Sequence, residues 1–237
     1  MSGRTVGAVI VGGIGLVFLL AGALIFVLGT RSADADRARI EGMLMADATD
    51  LDRLQPGAEV LVEGRIAASQ PALFREFVAY ERHEREVVSS FRSSPSPSPR
   101  PWSWRERKTP ALRIDAAGGS VWVRENYAMP GVRDWYDPQV VNRIETRYSG
   151  LVVAERVLVI GRVVEREPAE GAPAADRPPG HEIEAERVTP GDRASYLEGV
   201  ASGRTVSRRL GGGFVGLGGL MVAFASGLLI LGRRRSA

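Results

Sequence analysis

Two runs of the sequence decide the fold: Glu59–Ile66, which reads EVLVEGRI, and Phe77–Val88, which reads FVAYERHEREVV. In the first run Val60, Val62 and Ile66 fall on one face between polar residues, a pattern typical of a half-buried strand. The second run also alternates, but its far half is almost wholly charged. It predicts a strand with one end in a core and the other in water. We expect this pair to be the nucleus of a small β-rich domain.

The composition places that domain between two membrane anchors. Apolar residues make up 44% of the 237 residues, and the longest apolar runs lie at the two ends of the chain. The absence of cysteine excludes disulfides, thiolate zinc sites and a cysteine nucleophile. The two histidines are His83 and His181, and the net charge is +3. Without a basic-aromatic patch, the sequence indicates no nucleic-acid partner, and it indicates no metal or other cofactor.

A transmembrane helix is predicted over 6–28, because Val6–Leu28 carries no charge and roughly 20 such residues span a bilayer core. A cleaved signal peptide is the alternative. The apolar run is longer than the core of a signal peptide and Gly29–Ser32 is a poor cleavage site, so we favour a retained anchor. A second transmembrane helix is predicted over 210–232, followed by a basic tail at 233–237.

A strip of small residues runs at helical spacing along the second predicted span: Gly212, Gly216, Gly219, Ala223 and Gly227. Such a strip lets another helix approach closely, because lipid gives helices no hydrophobic reason to associate. The partner would be the first span, where Ala8 and Gly12 supply small residues, or a second copy of the chain. Alternatively, the glycines reflect only their frequency in membrane helices.

Two spans place both termini on one side of a bilayer and the domain on the other. Arg4 and Arg233–Arg235 favour cytoplasmic termini, whereas the arginines that flank the spans on the domain side favour the reverse. Long loops are translocated largely regardless of their charge. We therefore predict an integral protein of the bacterial inner membrane with an extracytoplasmic domain.

Between the spans we predict a juxtamembrane helical segment at 34–54, a β-rich domain at 55–190 and a connector at 191–209 with a short helical lead. The helical segment is predicted from apolar residues at three-, four- and seven-residue spacing. A proline-rich loop occupies 93–101. Its prolines stand at every second position, so the PxxP spacing of an SH3 ligand is absent.

Trp102 and Trp104 follow that loop on one face of an extended segment. We expect them to close the core at a strand edge, and the alternative is an anchor at the membrane interface. A Gly-Arg pair interrupts two β-branched strands, at Gly64 and again at Gly161. An interior glycine predicts a bulge or a sharp bend, as at the corner of a small barrel.

The remaining elements follow from turn signals and apolar alternation. They are a hairpin of Leu112–Asp115 and Val121–Arg124, strands at Val157–Val164 and Glu182–Val188, and a short helix at Pro138–Thr146. The predicted fold class is thus an α+β membrane protein, in which two transmembrane helices flank a small barrel- or sandwich-like domain.

The strongest catalytic candidate is a cluster within the second decisive run: Glu81, His83, Glu84 and Glu86. A histidine between carboxylates suits a general base or a pH switch. At period two, however, His83 shares a face with Glu81, whereas Glu84 and Glu86 point the other way. Alternating charges on a strand more often form cross-strand ion pairs on a wet face. We therefore assign no catalytic, cofactor-binding or metal-binding residue.

Several short motifs together resemble the GIDE domain. They are Val62–Ile66, the Tyr80-centred strand Phe77–Glu86, the tryptophan-bearing segment, the hairpin Leu112–Val123, and Arg147–Ser149 before Val157–Gly161. The resemblance spans 55–164. It departs from the family at Val78 or Ala79, where a cysteine is common, and at Ala154–Arg156, which replaces a Pro-Gly turn.

GIDE domains lie between two transmembrane helices in mitochondrial E3 ubiquitin ligases of the MULAN/MAPL type and in bacterial membrane proteins. The resemblance implies the same two-anchor layout and a role in binding proteins. A RING needs several cysteines for its zinc ions, so this cysteine-free chain is not expected to be a RING ligase. Our first hypothesis is a membrane-anchored binding or scaffolding module. The alternatives are a membrane-bound hydrolase that uses His83 with a neighbouring carboxylate, and an accessory subunit of an envelope or transport complex.

Overall fold

The computed structural model describes residues 3–87, 100–137, 140–165 and 181–234. They form three helices and ten strands, in the order α1 Gly3–Gly42, β1 Leu44–Met45, α2 Ala48–Leu51, β2 Glu59–Ile66, β3 Phe77–Glu86, β4 Ser103–Lys108, β5 Leu112–Ala116, β6 Gly119–Val123, β7 Arg133–Tyr136, β8 Ile144–Val152, β9 Arg156–Glu165, β10 His181–Pro190 and α3 Arg193–Arg234. Two compact units result. One is the helix unit, made of α1 up to Gly42 and of α3 from Leu197 onward, and the other is the β-domain, Met43–Tyr196.

The β-domain contains a closed five-stranded barrel with the strand order β2-β5-β6-β10-β9, in which β9 returns to β2. The pair β6 and β10 is parallel, through Val123 and Ile183, and the other neighbours in the barrel are antiparallel. The short strand β1 pairs with the first half of β2, beside the stretch that β5 covers. This order gives a small Greek-key barrel of the kind that OB-folds use.

The decisive run Glu59–Ile66 lies at the centre of that barrel, as its pattern predicts. Val60, Val62 and Ile66 are at most 1% exposed, and β9 pairs with β2 over seven residues of the strand. Apolar side chains from all five barrel strands fill the interior together. The barrel and the two long apolar helices on either side of it in the sequence confirm the prediction of a β-rich domain flanked by two such helices.

The two glycines that were predicted to mark a bulge or bend do not lie at a bulge of their own strands: the pairing of β2 with β5 and β9 is regular at Gly64 and Gly161. A Cβ built on Gly161 would lie 2.4 Å from the carbonyl oxygen of Glu184, so β10 can approach β9 there only because the side chain is absent. The register of β10 shifts between Ala185 and Arg187, directly beside this contact. The bulge is therefore in the partner strand, and Gly161 makes room for it.

A second sheet with the order β4-β3-β8-β7 lies outside the barrel strands. Its central strand β3 behaves as the decisive run Phe77–Val88 predicts. The first four residues of β3 are buried and the following five are half-buried. Both β4 and β7 are edge strands of this sheet among the described residues.

In the helix unit, α1 and α3 pack in antiparallel fashion through glycines. Cβ atoms built on Gly15 and Gly22 would lie 2.9 Å and 2.8 Å from the carbonyl oxygens of Gly218 and Gly211. The segments Val6–Gly42 and Arg193–Leu228 are long and apolar enough to cross a membrane. Small residues at the contact let the two backbones touch.

Three predicted segments differ from the structure where it describes them. The segment 34–54 is not a separate helix: α1 continues to Gly42, and the chain then forms β1 and the single-turn α2, because backbone pairing with β2 competes with helix there. The connector 191–209 is likewise helical from position 193 onward, because α3 starts at Arg193. Of the predicted helix Pro138–Thr146, positions 138–139 lie outside the described residues.

The rest of that predicted helix is a hairpin. Asn142 and Arg143 have φ angles of 52° and 63°, a left-handed turn between Val141 and Ile144, and β8 begins at Ile144. The predicted proline-rich loop 93–101 falls outside the described residues except for Arg100 and Pro101, which form no strand or helix.

Candidate functional site

The candidate cluster of Glu81, His83, Glu84 and Glu86 divides between the two faces of the second sheet, because side chains alternate along a strand. On one face, His83 Nε2 lies 3.4 Å from Glu81 Oε2. The same carboxylate accepts a charged hydrogen bond from Arg107 at 2.5 Å. His83 is held in the sheet between Arg147 on β8 and Trp104 on β4. Glu81 is therefore committed to a guanidinium and is a poor general base.

On the other face, Glu84 and Glu86 are also paired with arginines. Arg105 donates to Glu84 at 3.0 Å, and Arg100 lies 2.6 Å from Glu86. A cavity of about 360 Å³ opens beside these pairs, and its lining includes Ser103 but not His83. The three glutamates of the cluster are paired with arginines, and His83 lies beside one of these carboxylates. This is the arrangement of charged pairs on a strand that the sequence favoured over catalysis.

Trp102 lies in a layer of cations rather than in the apolar core. The guanidinium carbons of Arg85 and Arg147 lie 4.5 Å and 5.1 Å from its ring centre, and Tyr136 lies 6.0 Å away. These distances are typical of cation–π contacts. Trp104 is 57% exposed on the edge strand β4. The prediction of a strand edge is right, but the prediction that both indoles close the core is wrong.

Large apolar side chains are exposed where β3 and β7 end and where β4 and β8 begin. We call this end of the second sheet the sheet tip: Trp104, Tyr136, Val140 and Val141, each between 52% and 60% exposed. The left-handed turn at Asn142 and Arg143 fixes the hairpin that carries the two valines. Trp104 lies on one edge strand and Tyr136 on the other, so the tip exposes apolar groups across the width of the sheet. Exposed apolar surface of this kind is typical of an interaction site.

The exposed charge of β4 is mainly positive, although every cation there has a carboxylate near it. The side chains of Arg105 and Arg107 are 53% and 47% exposed, whereas the carboxylates of Glu84 and Glu81 that they pair with are each 20% exposed. Lys108 is 54% exposed and its neighbour Glu106 is 32% exposed. The carboxylates are thus less exposed than the cations with which they pair, and the cations face solvent.

An aromatic cluster covers the face of the second sheet that lies opposite to His83. The sequence analysis did not bring these residues together. Phe74 stacks on Tyr148 with ring centres 4.1 Å apart, and the guanidinium of Arg75 lies 3.9 Å from the ring centre of Trp135. Burial, followed by the charge of Glu106, raises the pKa of Tyr80, which lies in the same cluster. The contact of Phe74 with Tyr148 on β8 could not be predicted from sequence spacing, because the two residues are far apart in the chain.

Two buried polar groups sit in or beside the barrel wall. Tyr127 is fully buried and donates a hydrogen bond to the carbonyl of Pro110 at 3.0 Å, and burial raises its pKa. Arg124 donates to the carboxylate of Glu182, which is 8% exposed, beside the parallel pairing of β6 and β10. Within the described ranges, no group of three or more histidine, aspartate or glutamate side chains is placed to hold a metal ion.

The predicted strip of small residues on α3 does not contact α1. Cβ atoms built on the glycines of the strip meet nothing within 4 Å: Gly212, Gly216, Gly219 and Gly227. The contact with α1 uses a neighbouring face, Gly211, Gly218 and Ala225, which repeats every seven residues. Ala8, Gly15, Gly22 and Gly29 repeat at the same spacing on α1. That shared seven-residue period was the signal that could have found the true interface.

These features define a class of protein: a five-stranded barrel with an attached charged sheet, flanked in sequence by two long apolar helices. Comparisons with protein-family models, with curated proteins and with solved structures give no match. The function is therefore argued from the second sheet itself.

Proposed function

We propose that this chain is a two-pass integral membrane protein whose β-domain is a protein-binding or scaffolding module. The observation that carries the proposal is the sheet tip, where Trp104 and Tyr136 are more than half exposed beside solvent-facing arginines. Aromatic residues and arginine are enriched in protein interfaces. The resemblance to the GIDE domain supports the same function, and the absence of cysteine argues against a RING.

A crosslinking experiment tests the binding module. A photoreactive phenylalanine analogue replaces Tyr136 or Val141 in the full chain expressed in its host membrane, and Ser120 in the β5–β6 hairpin serves as the matched exposed control. We expect one discrete crosslinked product at both tip positions and none at the control. Equal labelling at all three positions, or no product at the tip, would contradict the proposal.

The membrane topology is a separate part of the proposal, with the β-domain outside the cytoplasm. The chain has no cysteine, so a single cysteine at Ala117, in the exposed β5–β6 turn, can be labelled with an impermeant maleimide in intact cells. Labelling there, with none at a cysteine placed at Ser236 until the cells are opened, is the expected result. The reverse pattern would place the domain in the cytoplasm.

The accessory-subunit hypothesis differs from a general binding module in requiring a partner at fixed stoichiometry, which copurification in mild detergent would reveal. No contact around His83 favours the hydrolase hypothesis, because its carboxylate neighbour Glu81 is held by Arg107. Self-association through the strip at Gly212, Gly216, Gly219, Ala223 and Gly227 stays a prediction. Gly216→Leu should lower the dimer fraction on native gels if the strip is used.

A further inference from the structure

In the part of the chain that the structure describes, no strand covers the outer edge of β4. Among the described residues, β3 is the only strand that pairs with β4, and no other backbone hydrogen bond to Ser103–Lys108 is formed. An extended peptide can add to such an edge as a further strand, because the backbone groups of an edge strand point outward. We propose that the edge of β4 binds an acidic, extended segment of a partner protein. This proposal rests on the proposed function of the β-domain as a binding module.

Charge selects the occupant. Arg105, Arg107 and Lys108 are each about half exposed on this edge, whereas the carboxylates paired with them are 20–32% exposed. The strand β4 carries three cations and one anion, Glu106, so a second copy would bring a net positive edge against a net positive edge, which disfavours self-pairing. A glutamate- or aspartate-rich strand would instead place opposite charges across the new ladder. The edge thus discriminates against its own copy and in favour of an acidic segment.

The register gives the order of side chains that the edge would read. Trp104 and Arg107 lie on one face, because their partners on β3, His83 and Glu81, are two residues apart. An occupant would therefore place an apolar side chain near Trp104 and a carboxylate near Arg107 on that face. Six residues of β4 extend over roughly 20 Å, which matches a segment of six to eight residues.

A bulge in β4 explains why charge is needed for recognition. The pairing with β3 shifts register between Arg82 and His83, which leaves Arg105 as the extra residue. Bulges and charged side chains are devices that blunt an edge against unspecific strand addition. A strand without acidic side chains would form too few backbone hydrogen bonds to compensate for the bulge and the exposed cations. The cations therefore decide which segments bind.

The test uses the full chain in nanodiscs and fluorescence anisotropy. The probe is a labelled octapeptide with the order Val-Val-Glu-Glu repeated twice, so that each face of the extended peptide carries both valine and glutamate. Two control peptides have lysine in place of glutamate, or keep the glutamates but carry N-methyl groups on alternate backbone nitrogens. We expect binding of the acidic peptide alone, with amide-exchange protection of residues 103–108. Equal binding of the N-methylated peptide would show charge attraction without strand addition and would overturn the proposal, as would no binding of the acidic peptide.

Charge reversal locates the site. The double variant R105E/R107E should weaken the binding of the acidic peptide by about tenfold or more, because two attractive ion pairs become repulsive contacts. The matched control is R113E/R162E, with the same change in net charge on the barrel strands β5 and β9. Equal weakening in both variants would contradict binding at β4. If the tip still crosslinks a partner while the peptide fails to bind, the binding module stands and the β4 proposal alone is refuted.

Discussion

The interface between α1 and α3 gives a sharp test, because it depends on atoms that glycine lacks. A Cβ on Gly22 would lie 2.8 Å from the Gly211 carbonyl oxygen, the Phe214 Cβ and the Val215 nitrogen, whereas a Cβ on Gly216 would meet nothing within 4 Å. The perturbation is therefore Gly22→Ala, and the matched control is Gly216→Ala on α3. Both changes add one methyl group to a glycine in an apolar helix.

The size of the effect follows from the distances. Ordinary contact begins near 3.4 Å, so the methyl group must part the helices by about 0.6 Å, which forfeits a quarter to a half of each facing dispersion contact. With roughly 30 facing atom pairs at 0.1–0.2 kcal/mol each, the loss is about 1–2 kcal/mol. The control loses none of these contacts, and alanine also favours helix over glycine.

Disulfide formation between α1 and α3 measures the packing. A Cβ on Gly12 would lie 3.3 Å from the Ala225 Cβ, close to the separation of about 3.5–4.5 Å that a disulfide needs. In the cysteine-free chain, G12C/A225C should form one intramolecular bond on mild oxidation in nanodiscs. We expect Gly22→Ala to slow this step by about five- to thirtyfold and Gly216→Ala to leave it unchanged.

The refuting results are specific. Equal oxidation rates in the Gly22→Ala variant and its parent would show that the helices do not meet through this face. Slowing by Gly216→Ala instead would show that α1 packs on the strip at Gly212 and Gly216 after all. Mass spectrometry of the cross-linked peptides distinguishes an intramolecular bond from one between two copies.

Three further predictions concern the β-domain, each measured by thermal or acid unfolding of the full chain followed by circular dichroism. Tyr127→Phe removes the donor to the buried Pro110 carbonyl and should cost about 1–2 kcal/mol, or about 3–6 °C in melting temperature; an unchanged melting temperature would contradict this. Gly161→Val forces a side chain against the β10 backbone and should cost about 1–3 kcal/mol, whereas a neutral result would mean that the bulge can move. Hydrogen bonds from the Ser195 amide and hydroxyl lower the pKa of Asp192. The ionised Asp192 stabilises the fold fully above its unfolded-state pKa of about 3.9, and this stabilisation is lost as the pH falls through its lower pKa in the folded state. Asp192→Asn should therefore make the stability of the protein depend less on pH below about pH 4.

The candidate site was partly predictable. Period two correctly placed His83 with Glu81 and separated it from Glu84, since alternation is a local property of a strand. The partners of these residues were not predictable, because Arg107 and Arg147 come from strands whose register is set by pairing. The sheet tip was missed for the same reason. Tyr136 and Trp104 come to lie at the same end of one sheet, on its two edge strands, only when β3, β4, β7 and β8 pair.

The sequence by itself determined the two apolar helices, the buried strand Glu59–Ile66, the hairpin around Gly118 and the absence of cysteine chemistry. These follow from local periodicity and composition, which need no tertiary contact. Only the tertiary structure decided that β9 closes a barrel onto β2, and that α1 meets α3 through Gly22 and Gly211 rather than through the more conspicuous GxxxG. Strand order, register and the choice of helix face depend on contacts between residues far apart in the chain, where many pairings have similar local patterns and packing selects one.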